Sequence, residues 1–217
     1  MHKRFFLTLV AALVLLCVTP QLSVAGEADA EEDLWRYSHK LSYPVHESTK
    51  VERQVFATVE PFYAWVLAHR FVSIPTDEER AELAAFLMPE LIQLLKDAGE
   101  MQEQCYKAAP EGDKPYMLEG ALLVGLYEGA TEVAYQDLDM DRLEEGTVMA
   151  PVILLYHIHE HYPKGSYYRM HAWNDELELH RKEGKWLINN IHFPHDENLR
   201  STLQGFIRGG SRHCVVP

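Results

Sequence analysis

From Ala150 to Phe193 the chain alternates apolar and polar side chains with a period of two, and no other feature limits its fold as strongly. Val152, Leu154, Tyr156 and Ile158 point one way, while His157, His159 and His161 point the other. Pro163-Lys164-Gly165-Ser166 is a turn signal, and Tyr167 to His180 follows as a second strand. Lys182-Glu183-Gly184 turns the chain again, and Trp186 to Phe193 returns as a third. A four-residue first turn sets Tyr162 opposite Tyr167, hence Tyr156 opposite Trp173 and Val152 opposite Leu177. Side chains directly opposite in an antiparallel pair share a face. One face therefore collects Val152, Leu154, Tyr156, Ile158, Trp173, Leu177, Leu179, Trp186 and Ile188, a set that must be buried.

Upstream the period changes to that of helices. Val51, Val55, Val59, Phe62, Tyr63, Val66 and Leu67 recur at spacings of three and four, behind a start near Ser48 or Thr49. Pro61 lies inside this stripe and either kinks the helix or opens a second one. Thr76-Asp77-Glu78-Glu79 is a capping box ahead of a short helix, and Pro89 starts a longer one to about Lys107. Met117 to Tyr127, interrupted by Gly120 and Gly125, reads as a partly extended cover, and Thr131 to Leu138 as a further strand. Asp196 is the expected cap of a last helix over Leu199 to Ile207, stopped by Gly209-Gly210. Helices first and strands afterwards give an α+β class. The expected form is a curved antiparallel sheet of about four strands on two to three N-terminal helices, cone-like, with a short C-terminal helix.

The start of the chain follows a different logic. His2-Lys3-Arg4, an apolar run from Phe5 to Val18, and Ser23-Val24-Ala25 form the pattern of a secretory signal peptide. Leu16 before Cys17 argues against lipid attachment, which needs a small residue there. The expected organisation is a signal peptide over 1–25, a leader over 26–47, one α+β domain over 48–210 and a tail over 211–217, with the mature chain in the periplasm or secreted. No later segment approaches ~20 apolar residues, so no membrane span is expected in the mature chain. Losing Lys3 and Arg4 takes the formal charge from −13 to −15. An acidic surface of that kind disfavours nucleic acid and anionic membrane, and also serves simply to keep a secreted chain soluble. Cys105 and Cys214 survive cleavage. In an oxidising compartment they either pair or stay as two thiols.

Three signatures carry a family resemblance: Phe62-Tyr63-Ala64-Trp65, Glu128-Gly129-Ala130-Thr131, and Trp173, Asp175 and Gly184-Lys185-Trp186-Leu187-Ile188 followed by Leu199-Arg200-Ser201-Thr202-Leu203. In that order they resemble an uncharacterised secreted bacterial domain family of the nuclear-transport-factor-two-like (cystatin-like) superfamily, over roughly Val51 to Ile207. The resemblance implies a curved sheet wrapped over helices around a cone-shaped pocket. That superfamily includes isomerases, dehydratases, hydrolases and non-catalytic binding modules, so it leaves function open. Positions 189 and 190 are often acidic in such sequences, and Asn189 and Asn190 here depart from that.

Two constellations can carry chemistry. Parity puts Tyr156, Trp173, Asp175, Asn190 and His192 on the apolar face, as a pocket lining. There Asp175 could orient His192 as a general base, with Tyr156 polarising a substrate oxygen. Equally, Asp175 is a buried polar group satisfied by Trp173, Asn190 or backbone. The other is His157, His159 and His161, whose ~6.5–7 Å spacing lets two imidazoles reach one zinc or copper ion, or makes them a solvated face that charges below pH ~6.5. Glu160 and Arg169 are expected to pair near the turn. No serine or cysteine nucleophile context, phosphate-binding glycine loop or paired CxxC is present. The leading expectation is a non-catalytic domain binding a small apolar molecule or a protein partner, with a homodimer through the sheet face as one arrangement. A cofactor-free isomerase, dehydratase or hydrolase using Asp175 and His192 is the alternative, and surface metal binding by the histidine strand a third.

Overall fold

In a computed structural model of the chain, the described residues are 49–69, 73–138, 146–157 and 170–214. Thr49 caps the first helix, α1 (Lys50–Ala68), its hydroxyl accepting from the Glu52 amide while Glu52 reaches back to the Thr49 amide. A single helix runs through Pro61. Thr76 and Glu79 close the same box on α2 (Asp77–Leu83). Pro89 sits in the first turn of α3 (Pro89–Ala108), where its missing N–H is one the helix could not have used.

Four strands follow: β1 (Glu132–Tyr135), β2 (Thr147–His157), β3 (Met170–Lys182) and β4 (Lys185–His192). Among the described residues they form one antiparallel sheet in the order β1-β2-β3-β4. Val152 lies opposite Asp175, Leu154 opposite Trp173 and Tyr156 opposite His171. This register is two residues away from the one expected, which set Tyr156 against Trp173. A slide of two keeps every side chain on its face, so the hydrophobic pattern cannot detect it. The turn that fixes the register, around Pro163-Lys164-Gly165-Ser166, lies outside the described residues, as do Glu160 and Arg169.

The second hairpin turns at Glu183-Gly184, both at positive φ (51° and 82°), as a twisted two-residue turn requires. It then departs from the expected parity. Glu178 pairs with Asn190 but Leu179 pairs with Ile188, so Asn189 is an extra residue, a β-bulge. Trp186 and Ile188 face the core beside Leu179, and past the bulge Ile191 takes the inward place opposite Leu177. His192 consequently lies opposite Glu176, on the outer face.

The inner face is covered by α1 through Val55, Val59, Phe62 and Tyr63, and by α3 through Leu91, Leu95 and Ala98, all fully buried. The free edge of β4 is met by the α2–α3 link: the Met88 amide donates to the Ile188 carbonyl at 2.8 Å, and the Ile188 amide to the Phe86 carbonyl at 2.8 Å. The last helix, α4 (Leu199–His213), differs from expectation at both ends. Its cap is Asn198, whose side chain accepts from the Ser201 amide at 2.9 Å, while Asp196 belongs to the short turn Pro194–Asp196 at φ 62°. It also continues through Gly209-Gly210. A Cβ on Gly210 would lie 2.5 Å from the Met101 sulfur, so glycine here permits close approach of α3 and does not end the helix. Cys214 then forms a disulfide with Cys105 at the far end of α3, Cα atoms 4.7 Å apart. No helix among the described residues is long and apolar enough to cross a membrane.

Candidate functional site

Asp175 occupies an inward position in the middle of β3, between apolar neighbours, and is 1% exposed. What reaches it is the segment before β1. Leu122, Leu123 and Val124 are buried there, and a bond from the Ala121 amide to the Tyr127 carbonyl at 2.9 Å closes the loop. Thr131 ties its end to β2, donating from its amide to the Leu155 carbonyl at 2.7 Å and accepting from the His157 amide at 3.0 Å. This anchoring brings the Gly125 amide to Asp175, where it donates to Oδ2 at 3.0 Å. A Cβ on Gly125 would lie 2.7 Å from Asp175 Oδ1, 3.0 Å from Pro194 Cδ and 3.3 Å from Trp173 Cδ1. The loop therefore presses backbone directly onto the carboxylate. Gly125→Ala is expected to destabilise the fold by ~1–3 kcal/mol, read by urea denaturation, because the new methyl has no space. A loss under ~0.5 kcal/mol would mean that the loop stands off from β3.

The other Asp175 oxygen, Oδ1, has no hydrogen-bond partner among the described residues, and the same is true of the buried Tyr63 hydroxyl and the buried indole N–H groups of Trp173 and Trp186. Trp173 is two residues along β3 on the same face, and Tyr63 enters from α1, close enough for the Asp175 charge to act on it. Burial raises the Asp175 pKa to about 7, and only the Gly125 bond pulls against that rise. Burial, then the charge of Asp175, then Tyr135, hold the Tyr63 hydroxyl well above its ordinary value. Asp175 is thus a buried carboxyl that changes between donor and acceptor near neutrality. Burying polar groups without partners costs about 1–3 kcal/mol each, which a bound molecule can recover.

The remaining expected site residues are placed elsewhere. Tyr156 shares the inner face, half-buried, toward the end of the sheet. Asn190 is buried, but its side-chain oxygen accepts from the amides of Ile191 (3.0 Å) and Arg200 (3.1 Å), which ties β4 to α4. His192 is not paired with Asp175. The bulge turns it outward, where its Nε2 lies 3.1 Å from Glu178 Oε2. Glu178 also receives Asn189 Nδ2 at 2.7 Å and His180 Nε2 at 2.7 Å, and Arg200 grips Asn189 through two bonds of 2.6 Å. Burial pushes the Glu178 carboxyl up, but the bonds from Asn189, His192 and His180 outweigh it and hold the group below its usual range. A hollow of about 470 Å³ opens beside this cluster, lined by Gln136, Asn174, Glu176, His192, Asp196 and Glu197 and bordered by Asp175. No hydrogen bond joins Asp175 to His192 across it.

Of the histidine strand, His157 is described and its Nε2 lies 3.1 Å from Glu132 Oε2, whereas His159 and His161 lie outside the described residues. Among the described residues, no group of three His, Cys, Asp or Glu is placed to hold a metal ion. Sequence reasoning missed Tyr63 and Gly125 as site residues. Tyr63 belonged to an apolar stripe, and its hydroxyl was the one signal that set it apart from its neighbours.

No protein-family model matches this chain, and no curated protein does. Among solved structures, one that superposes on it is a phospholipid-binding protein from Ralstonia solanacearum in complex with a phospholipid, at 10% identity and a TM-score of 0.27, covering 87% of this chain and 96% of that one. Agreement this loose does not establish a common fold, and the phospholipid is a property of that protein.

Proposed function

We propose that this chain is a secreted or periplasmic, non-catalytic binding domain of the nuclear-transport-factor-two-like superfamily, and that it holds a small, largely apolar molecule. The observation that carries this reading is Asp175 Oδ1, buried and without a partner among the described residues, in a side chain that borders a hollow of about 470 Å³. The leader pattern at the N-terminus supports export, and the order of helices before an antiparallel meander supports the kinship. The placement of His192 on the opposite face, bonded to Glu178, removes the partner that acid–base catalysis by Asp175 and His192 would need.

Native mass spectrometry of the mature protein, taken from the envelope of its own host, tests this. A chain beginning at Gly26 is expected to carry a small-molecule mass that denaturation releases. The bare polypeptide mass under native conditions, in repeated preparations, would overturn the reading.

A further inference from the structure

The hollow beside Glu178 is lined by charge of one sign. Asp175 and Glu176 of β3 and Asp196 and Glu197 of the turn after β4 bring four carboxyl groups to it, and among the described residues its lining holds no lysine or arginine. His192, the one imidazole there, is bonded to Glu178, so its charge when protonated is already matched. The turn is tied at both ends: the Phe193 amide donates to the Glu197 carbonyl at 2.8 Å, and His192 bridges to Asn198. It holds Asp196 at φ 62°, which an aspartate adopts far less readily than a glycine, so that carboxylate is placed by the backbone. Asp196 and Glu197 are exposed, and exposed carboxylates alone say nothing about a ligand. Asp175 differs from them. It is 1% exposed, its Oδ1 has no partner among the described residues, and no basic group acts on it to offset its burial. A carboxylate in that state lacks a counter-charge, and the hollow it borders has room for one.

The sign of the missing group follows from the lining. An anion would be repelled by all of these carboxylates, and a neutral molecule would leave the buried one without a counter-charge. A single metal ion does not fit, since no three His, Cys, Asp or Glu among the described residues are placed to hold one. An organic cation carries several N–H donors and answers carboxylates that do not converge on one point. Pro151 and Phe193 supply the apolar part of the lining. Resting on the binding-domain reading above, we infer that this hollow takes the positively charged end of an organic amine, a primary ammonium or a guanidinium, with its apolar stem against Pro151 and Phe193.

Four probes on one stem test this with the mature protein by calorimetric titration at pH 8: hexylamine, hexylguanidine, 1-hexanol and hexanoate, with calcium chloride as a fifth titrant. Hexylamine and hexylguanidine are expected to bind more tightly than the other three. Asp196→Asn, which tolerates the same positive φ, and Glu197→Gln should each weaken the two cations roughly 2- to 5-fold, the range for one exposed ion pair. Asp175→Asn, which keeps an acceptor for the Gly125 amide, should weaken them by more than either, because a buried charge is the least screened. Glu111→Gln, the same loss of charge on an exposed residue outside the lining, should leave affinity unchanged. Equal weakening by Glu111→Gln would show only the field of an acidic protein and overturn the site. Preference for hexanol or hexanoate would overturn the charge assignment and leave the binding-domain reading standing, and so would tighter binding of calcium than of either amine. Failure of every probe to bind would overturn the inference, and a bare mass in the native spectrum beside it would remove the binding-domain reading too.

Discussion

Breaking the Cys105–Cys214 bond is expected to lower the unfolding free energy by ~5 kcal/mol. The two cysteines are 109 residues apart, and a cross-link over a loop that long restricts the unfolded chain severely. In the folded state the bond closes a junction already made by packing: Gly210 rests on Met101 and Cys105, and Leu203 and Phe206 of α4 are buried. The native contacts therefore survive its loss, and the penalty lies mostly in the freedom regained on unfolding. Urea denaturation of the oxidised protein, the reduced protein and the Cys105→Ser/Cys214→Ser variant measures it. Both altered forms should show a lower midpoint than the oxidised protein. A loss below ~1 kcal/mol in both would mean that the unfolded chain keeps the ends of α3 and α4 together without the bond.

Asp175 should give the fold an unusual pH dependence. Its folded pKa is raised to about 7 by burial, against an ordinary value of 3.8. Between those values the native protein holds a proton that the unfolded chain has released. The corresponding stability is complete below about pH 4, falls as pH rises toward 7, and levels off above it. At 1.36 kcal/mol per unit the full range is of order 4 kcal/mol, of which ~2–3 kcal/mol lies between pH 5 and pH 8. Asp175→Asn keeps an acceptor for the Gly125 amide and removes the titration. The expected result is that wild type loses ~2–3 kcal/mol relative to this variant as pH rises from 5 to 8, followed by urea denaturation at each pH. Parallel stability curves would show that the carboxyl is solvated and ordinary. The sign is opposite to that for Glu178, whose lowered pKa contributes stability above the ordinary carboxylate range that is lost as the pH falls.

How far the fold could be read from the residues depended on which periodicity was in use. Helical stripes such as Val55, Val59, Phe62 and Val66 are local, and Thr49 and Thr76 announce their helices within four residues. Strand alternation fixed the inward side of β2 and β3 even though the pairing between them was misjudged by two. It failed at Asn189, where one extra residue moves Ile191 inward and turns His192 away from Asp175. Nothing in Ile188-Asn189-Asn190-Ile191 signals that insertion, since the pattern around it reads equally well as an unbroken strand. Gly209-Gly210 misled in a related way: what reads as a stop is a place where α3 comes close.

The chain by itself determined the α+β class, the buried side of the meander and the presence of an acidic residue, Asp175, on that side. Each follows from side-chain polarity at short range along the backbone. Which groups meet Asp175 was decided only in three dimensions. Gly125, from the loop before β1, reaches Asp175 across 50 residues of chain, and the Asp175 charge acts on Tyr63 of α1, 112 residues away. Sequence pattern records whether a residue wants water. It does not record which distant neighbour will take the water's place.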